Sequence, residues 1–512
     1  MFVTAKAQDF LTYSRSSIGT YVGSDGLIKT AAVDKARIEY GSDGSVKGLL
    51  IEEERTNLVL YTRPQAVHWS TTYASVAENV GTAPDGTASA SRITVSSATN
   101  FHFAAPVTVP AMGASPHTVS CFLKADTVNT ASLFLTQVNN NGAVFSLTGS
   151  GSVSNVSGTG NTAEISEVGN GWYRCSVTND GGADLVDQLR IGVANGALGS
   201  YAGNGTDSIL AWGFQLEQGS FATSYIPTSG STVTRSPDIA SIPITAFGYN
   251  QDAGTVVVKA STFLDGGLQS TLVNISDQTS SGGAERMQLR FNNNNFQSIF
   301  STNGVAQGNK TVSATIDANT FYRAAWSFDG PNTLVTAGAG SVSSPDTSHD
   351  VPGPVVEVRL GHLGQNISLQ STETLNGHIK SLKYYPRKLA GHEISLESYS
   401  GTINTTYYVT NSGSGAYTFT GGATGNNPTL DVVRGNTYAF SVNASGHPFY
   451  LTTDDGTNFS AGNYVSEYTT GVTNSRSQDN TLFWTVDASA PNTLYYQCGN
   501  HAAMKGTINI TG

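Results

Sequence analysis

The chain has 512 residues and a net charge of −11, with charged residues at only 12% and glycine at 56 positions. The acidic surplus argues against nucleic acid as a partner, and no run of 18 apolar residues is present to span a membrane. Length predicts three or four domains of roughly 100–200 residues each, and the turn-rich composition, with 22 Tyr and 21 Phe, predicts that they are all-β.

The first 60 residues open with MFVTAKAQDFLTYSRSS, which lacks the apolar centre of a secretory signal peptide. The expectation is a protein made in a cytoplasm without export. Gly23, Gly26, Gly41, Gly44 and Gly48 punctuate very short strands. Glu52, Glu53 and Glu54 precede Arg55, and no His or metal-ligand partner is spaced to join them. They are expected to form a solvated or Arg-paired structural turn, and no catalytic residue is assigned to them.

Residues 61–240 carry short alternating runs such as HTVSCFLKA, SLFLTQV, GWYRCSVT and ILAWGFQLE, separated by clusters such as NNNG and GNGTD. Many short strands bounded by turns predict a two-sheet sandwich or jelly roll. Cys121 and Cys175 lie in two of these strands as core thiols or, if their Cα atoms approach within about 7 Å, as a disulfide. Trp172 and Trp212 fall in apolar alternation and are expected in the core. Trp69, Tyr201 and Tyr225 are the candidates for an exposed aromatic platform on which a glycan could rest.

Residues 241–400 repeat the style in GTVVVKASTF, RMQLRFNN, FYRAAWSFDG and LNGHIKSLKYYPRKL, which predicts a second sandwich with Trp326 inside. AGHEISLESYS, at 390–400, reads as a short helix. A Gly/Ser/Thr hinge near 401–416 starts the last domain, where LDVVRGNTYAFSV and LFWTVDASAPNTLYYQC are strand patterns and Trp484 is a core residue.

The most specific chemistry is also here. Cys498, His501 and Met504 stand in QCGNHAAMKG, and His447 in GHPFYL supplies a second imidazole. A thiolate, two imidazoles and a weak axial thioether are the donor set that suits a type 1 copper ion. The other histidines, His68, His102, His117, His349, His362, His378 and His392, show no mutual metal-ligand spacing.

Three stretches resemble known families. Arg15-Ser16-Ser17, Gly26-Leu27-Ile28, Arg37-Ile38-Glu39-Tyr40 and GLLIEEERTNL (48–58), together with WGFQLEQGSFATSYIPT (212–228), resemble motifs of phage head-spike and tail-fibre proteins. That resemblance implies attachment to a virion through residues 1–60 and a carbohydrate-binding-module-like jelly roll over 61–240. FYRAAWSFDG and LNGHIKSLKYYPRKLAGHEI are similar to late strands of laminin-G or concanavalin-like sandwiches, implying that fold for 241–400. Residues 401–512 resemble cupredoxins with a short ligand loop, implying a Greek-key domain and a copper cofactor. Pro448 stands where many cupredoxins carry an Asn that steadies the loop, so the site is expected to lack that support.

The combined reading is a tandem all-β virion protein, fibre or spike, that adheres to host-surface glycans. Its expected partners are other virion proteins, a host glycan or receptor, and further copies of itself, a trimer by analogy with fibres. The alternatives are a copper redox protein with accessory binding domains and a polysaccharide-degrading virion enzyme. No HExxH, GxSxG or phosphate-loop pattern supports an enzyme.

Overall fold

A computed structural model describes residues 10–109, 113, 115–135, 141–181, 188–277, 285–331, 333–364 and 373–512. It is an all-β chain of mostly antiparallel strands. The helix Gly391–Ser398 forms where the sequence predicts one, and Glu393 accepts the backbone N–H of Ala390 at 2.9 Å to close its first turn. Among the described residues no helix is long and apolar enough to cross a membrane.

The chain divides into two compact units. The first holds residues 1–241 and 374–380, and the second holds 242–373 and 381–512. The expected boundary near 240 therefore coincides with a unit boundary. Those near 60 and 400 fall inside units, and residues 374–380 return to the first unit.

The first unit contains two six-stranded antiparallel sheets. One centres on His117–Ala125, between Trp172–Asn179 and Ser208–Gln218, and the other runs through Thr130–Phe134 and Arg190–Val193. Alternation explains the core: Val119, Cys121 and Leu123 join Leu133, Phe145, Ile191 and Phe214 between the sheets. The same strand is also buried on its other side. Phe122 there joins a second cluster with Trp172, Trp212, Tyr225 and Ile28.

Cys121 and Cys175 are direct cross-strand partners, yet both are free, fully buried thiols. Burial raises the pKa of each. The core-thiol reading is therefore the one the structure adopts.

The N-terminal motif and the residues around 215–238 close on each other through buried charge. Arg15 Nη1 lies 3.1 Å from Asp238 Oδ1 and Arg37 Nη2 lies 2.7 Å from Glu52 Oε2. Arg37 also pairs with Asp238, and Arg235 Nε stands 3.6 Å from Glu52. Ser224 donates to Glu52 from its backbone at 2.7 Å and from its hydroxyl at 2.6 Å. Burial works against the Glu52 charge, but Arg235, Arg37 and the Ser224 hydrogen bonds outweigh it and hold the carboxyl well below its ordinary pKa. Glu53 pairs with Arg55 at 2.6 Å. Glu52 and Glu53 are thus Arg-paired while Glu54 is exposed, which fits the expected structural turn, part Arg-paired and part solvated.

The second unit contains a sandwich and a Greek-key domain. In the sandwich, Glu357–Leu360, Ser270–Ser276, Arg286–Phe291, Asn295–Thr302 and Val305–Ser313 make one sheet. Ala253–Thr262, Tyr322–Asp329 and Thr333–Gly338 belong to the other. Trp326 is fully buried, edge-on to Phe300. In the C-terminal domain, Thr405–Ser412 runs parallel to Thr437–Asn443 and Leu430–Val433 runs parallel to Lys505–Thr511. Such parallel neighbours require crossover connections, as a Greek-key sandwich does. Its core joins Tyr417, Phe419, Phe449, Trp484 and Tyr496 with Cys498 and Met504.

Candidate metal centre

Two strands deliver the ligands. Thr493–Cys498 ends on the cysteine, and Phe449–Thr452, its antiparallel partner, starts just after His447. The pairing of Phe449 with Cys498 brings a residue 51 positions upstream beside the loop. The loop then folds back on itself: Cys498 N donates to Met504 O at 2.9 Å and Met504 N donates to His501 O at 3.3 Å.

His447, Cys498 and His501 converge as the sequence predicts. The two Nδ1 atoms are 3.1 Å apart, and Cys498 Sγ is 3.9 Å from His447 Nδ1 and 3.6 Å from His501 Nδ1. A circle through three atoms at these separations has a radius of about 2.1 Å, close to metal–nitrogen bonds of about 2.0–2.1 Å and metal–sulfur bonds of about 2.3 Å. The donor set therefore fits one ion in trigonal coordination without rearrangement. Cys498 and Met504 are fully buried, while both imidazoles are half-buried. Burial first, and the neighbouring His501 second, lower the pKa of His447, which favours the neutral ring a metal needs.

The support that Pro448 seemed to remove comes from residues the sequence reading missed. Tyr417 donates its hydroxyl to His447 O at 2.8 Å, and Asn500 Nδ2 donates to Gly446 O at 2.8 Å. Gly499 N donates to Pro448 O at 2.8 Å, so Pro448 contributes through its carbonyl. Gln497 Nε2 reaches His501 O at 2.9 Å, and Asn427 Nδ2 reaches Ala503 O at 2.9 Å. Asn500 N also donates to Cys498 Sγ at 3.4 Å. Tyr417 is kept protonated by burial and by the Cys498 sulfur beside it. The sequence signal for Asn500 was its place inside the ligand loop; Tyr417 carried none.

The aromatic platform is corrected. Trp69 is only 3% exposed. Its ring meets Phe214 edge-on at 5.1 Å and its Nε1 donates to Tyr61 O at 3.3 Å. It is a core residue because the first position of Trp69–Thr72 faces inward. Tyr201 is half-buried, lies edge-on to His102 and donates to Val193 O at 3.2 Å, so its ring packs on the core. Tyr225 is 7% exposed, its centroid 4.5 Å from that of Trp212, and its hydroxyl is 2.8 Å from Thr62 Oγ1. These two rings, with Arg63, Asp85 and Ser89, line a cavity of about 280 Å³. A larger hollow of about 780 Å³ is lined by Phe101, Phe103, Asn100, Ser70 and Arg190. The Arg190 guanidinium lies 4.3 Å from the Phe103 ring centre.

Neither a family model nor a curated protein matches the chain. Solved structures with detectable likeness include a Ruminococcus gnavus IT-sialidase CBM40 bound to α2,3-sialyllactose, at 16% identity and TM-score 0.25, over 29% of this chain and 84% of that one. The N-terminal CBM22-1–CBM22-2 tandem domain of Paenibacillus barcinonensis Xyn10C matches at 8% identity and TM-score 0.20, over 65% and 98%. Domains LG4-5 of the mouse laminin α1 chain match at 11% identity and TM-score 0.20, over 66% and 94%. These scores place the chain in none of the three families.

Proposed function

We propose that the C-terminal domain binds one copper ion in a type 1 centre, ahead of which the β-sandwiches serve as the adhesive part of a virion fibre or spike. The observation that carries the copper reading is the donor triangle of His447, Cys498 and His501, with Met504 buried in the same loop. A soft thiolate, two imidazoles and a thioether select copper over harder ions. A copper ion held there supplies one-electron redox chemistry. The protein's part is to keep the donors converged, through Tyr417 and Asn500, and to leave two imidazole edges near solvent.

Cu(II) added to the purified full chain is expected to give an intense visible band from thiolate-to-copper charge transfer. Cys498→Ser is expected to abolish it. A colourless protein at stoichiometric Cu(II) overturns the copper reading.

The adhesive reading concerns glycans and is favoured by the Phe101–Phe103 hollow. Its volume is in the range of about 300–1,000 Å³ usual for small-ligand sites, and it combines aromatic rings with convergent polar groups. Binding of host-envelope glycans by the full chain, weakened in Phe103→Ala, supports it; no binding across a broad glycan panel overturns it. The virion assignment rests on the 15–58 and 212–228 motifs. Absence of the protein from washed particles by peptide mass spectrometry overturns that part alone.

A further inference from the structure

The smaller cavity of the first unit is built where its two sequence motifs meet. Thr20 and Thr30 come to it from the hairpin of Gly19–Val22 and Ile28–Ala31, and Trp212, Tyr225 and Thr228 come from the 212–228 motif. Arg63 and Asp85 complete the lining from the chain between the motifs. The cavity can be reached from solvent: Thr30 and Thr87 are exposed, and Arg63, Asp85 and Ser89 are half-buried. Its volume of about 280 Å³ lies just under the range of about 300–1,000 Å³ usual for drug-sized ligands, which suits a single ring and not a chain.

The wall has spent most of its donors internally. Trp212 Nε1 donates to Ser89 Oγ at 3.0 Å. Thr87 Oγ1 donates to Asp85 Oδ1 at 2.7 Å, so the 2.6 Å contact between Ser89 and Thr87 uses the Ser89 proton. Thr62 Oγ1 donates to Thr228 O at 3.4 Å, so Tyr225 donates across its 2.8 Å contact with Thr62. These groups have acceptors left to offer a ligand: the second carboxylate oxygen of Asp85 and the lone pairs of Tyr225 and Ser89.

Arg63 is the exception. Its guanidinium has neither a hydrogen bond nor an ion pair among the described residues, and none joins it to Asp85. Both charges nevertheless act on one hydroxyl. Burial raises the pKa of Tyr225 to about 12, Asp85 adds to the rise and Arg63 opposes it. A cation and an anion thus stand near Tyr225 without answering each other.

We infer that this cavity binds one acidic sugar residue, with its carboxylate on Arg63 and its ring hydroxyls donating to Asp85 and Tyr225. The guanidinium is a planar fork of donors matched to a carboxylate. A neutral hexose leaves that charge unmet. An amino acid meets it but brings one ammonium to a wall of several acceptors, whereas a sugar acid brings several hydroxyls. Trp212 and Tyr225 are 4% and 7% exposed, too little ring for stacking to select the ligand, so charge and hydrogen bonding do. The lining shares no residue with the Phe103 hollow or the copper centre.

Calorimetric titration of the full chain tests this with glucuronate, galacturonate and N-acetylneuraminate as sugar acids, glucose and galactose as neutral hexoses, and glycine and phenylalanine as amino acids. At least one sugar acid is expected to bind, and the hexoses and amino acids to fail. Arg63→Gln is expected to weaken that binding roughly 10- to 100-fold. Asp85→Asn, which keeps an acceptor for Thr87, is expected to weaken it by a smaller factor. The copper band and melting temperature report that both variants remain folded. Failure of all three sugar acids, equal binding of a hexose or an amino acid, or sugar-acid binding unchanged in Arg63→Gln overturns the inference. Phe103→Ala is expected to leave sugar-acid binding intact, so failure of the hollow and failure of this cavity are separable.

Discussion

The ligand loop at 498–504 and the ionic lock of the first unit are both buried convergences of chemistry-bearing side chains, and they are built in opposite senses. In the lock, Arg15, Arg37 and Arg235 face Glu52 and Asp238, and each charge finds its opposite within the protein. In the loop, donors face donors: two imidazole nitrogens and a thiol turn toward one point. Opposite charges that answer each other make structure. Lone-pair donors that converge make a candidate binding site, because one cation can satisfy all of them at once.

Double dissociation sharpens this comparison most. Arg37→Ala removes the guanidinium that bridges Glu52 and Asp238 and leaves them only the longer contacts to Arg235 and Arg15, and breaking such a buried network costs about 3–5 kcal/mol. Urea unfolding of the full chain is expected to lose its first-unit transition at low denaturant while the copper band persists. Cys498→Ser is expected to do the reverse, removing the band and sparing that transition. If either variant damages both readouts, the two clusters are not independent.

A smaller effect is expected at the supports of the loop. Asn500→Ala and Tyr417→Phe each remove a hydrogen bond to the His447 turn, and losses of this kind weaken metal affinity about 10- to 100-fold. Competition with a copper chelator reads the change. Unaltered affinity in both variants means that the backbone alone, including the Pro448 carbonyl, holds His447.

The smallest effect is set by pH. The Glu52 carboxyl is depressed in the folded state, so its stabilisation is fully present above its ordinary value near 4.5 and is lost as pH falls below that. Acid titration followed by near-ultraviolet circular dichroism is expected to show the first unit weakening below about pH 4.5. Cys498→Ser should leave that profile in place. A profile flat to pH 3 means that Arg37 and Arg235 do not govern Glu52.

Legibility followed sequence distance. Cys498, His501 and Met504 sit within one loop, so a spacing of three residues announced them, and His447 was recognisable from its own turn. The Arg-paired reading of Glu52 and Glu53 was correct, yet the partners Arg37, Arg235 and Asp238 lie too far along the chain for spacing to name them. The core tryptophans Trp172, Trp212, Trp326 and Trp484 were legible from alternation. Trp69 and Tyr201 were misread because they flank short strands where alternation is too brief to say which way a ring points. Pro448 misled in the same way: the missing Asn was replaced by a tyrosine 31 positions before it and an asparagine 52 after it.

By itself the sequence determined the all-β class, the Greek-key ending and which residues are the candidate metal donors, because strand alternation and ligand spacing are local properties of the chain. Only the tertiary structure decided how those donors are braced, that the N-terminal motif is locked to residues near 224–238, and that Arg63, Asp85 and Tyr225 line one cavity. Those facts depend on register between strands and on burial. Both are set when distant segments pack, where a one-residue slip would turn every side chain to the opposite face.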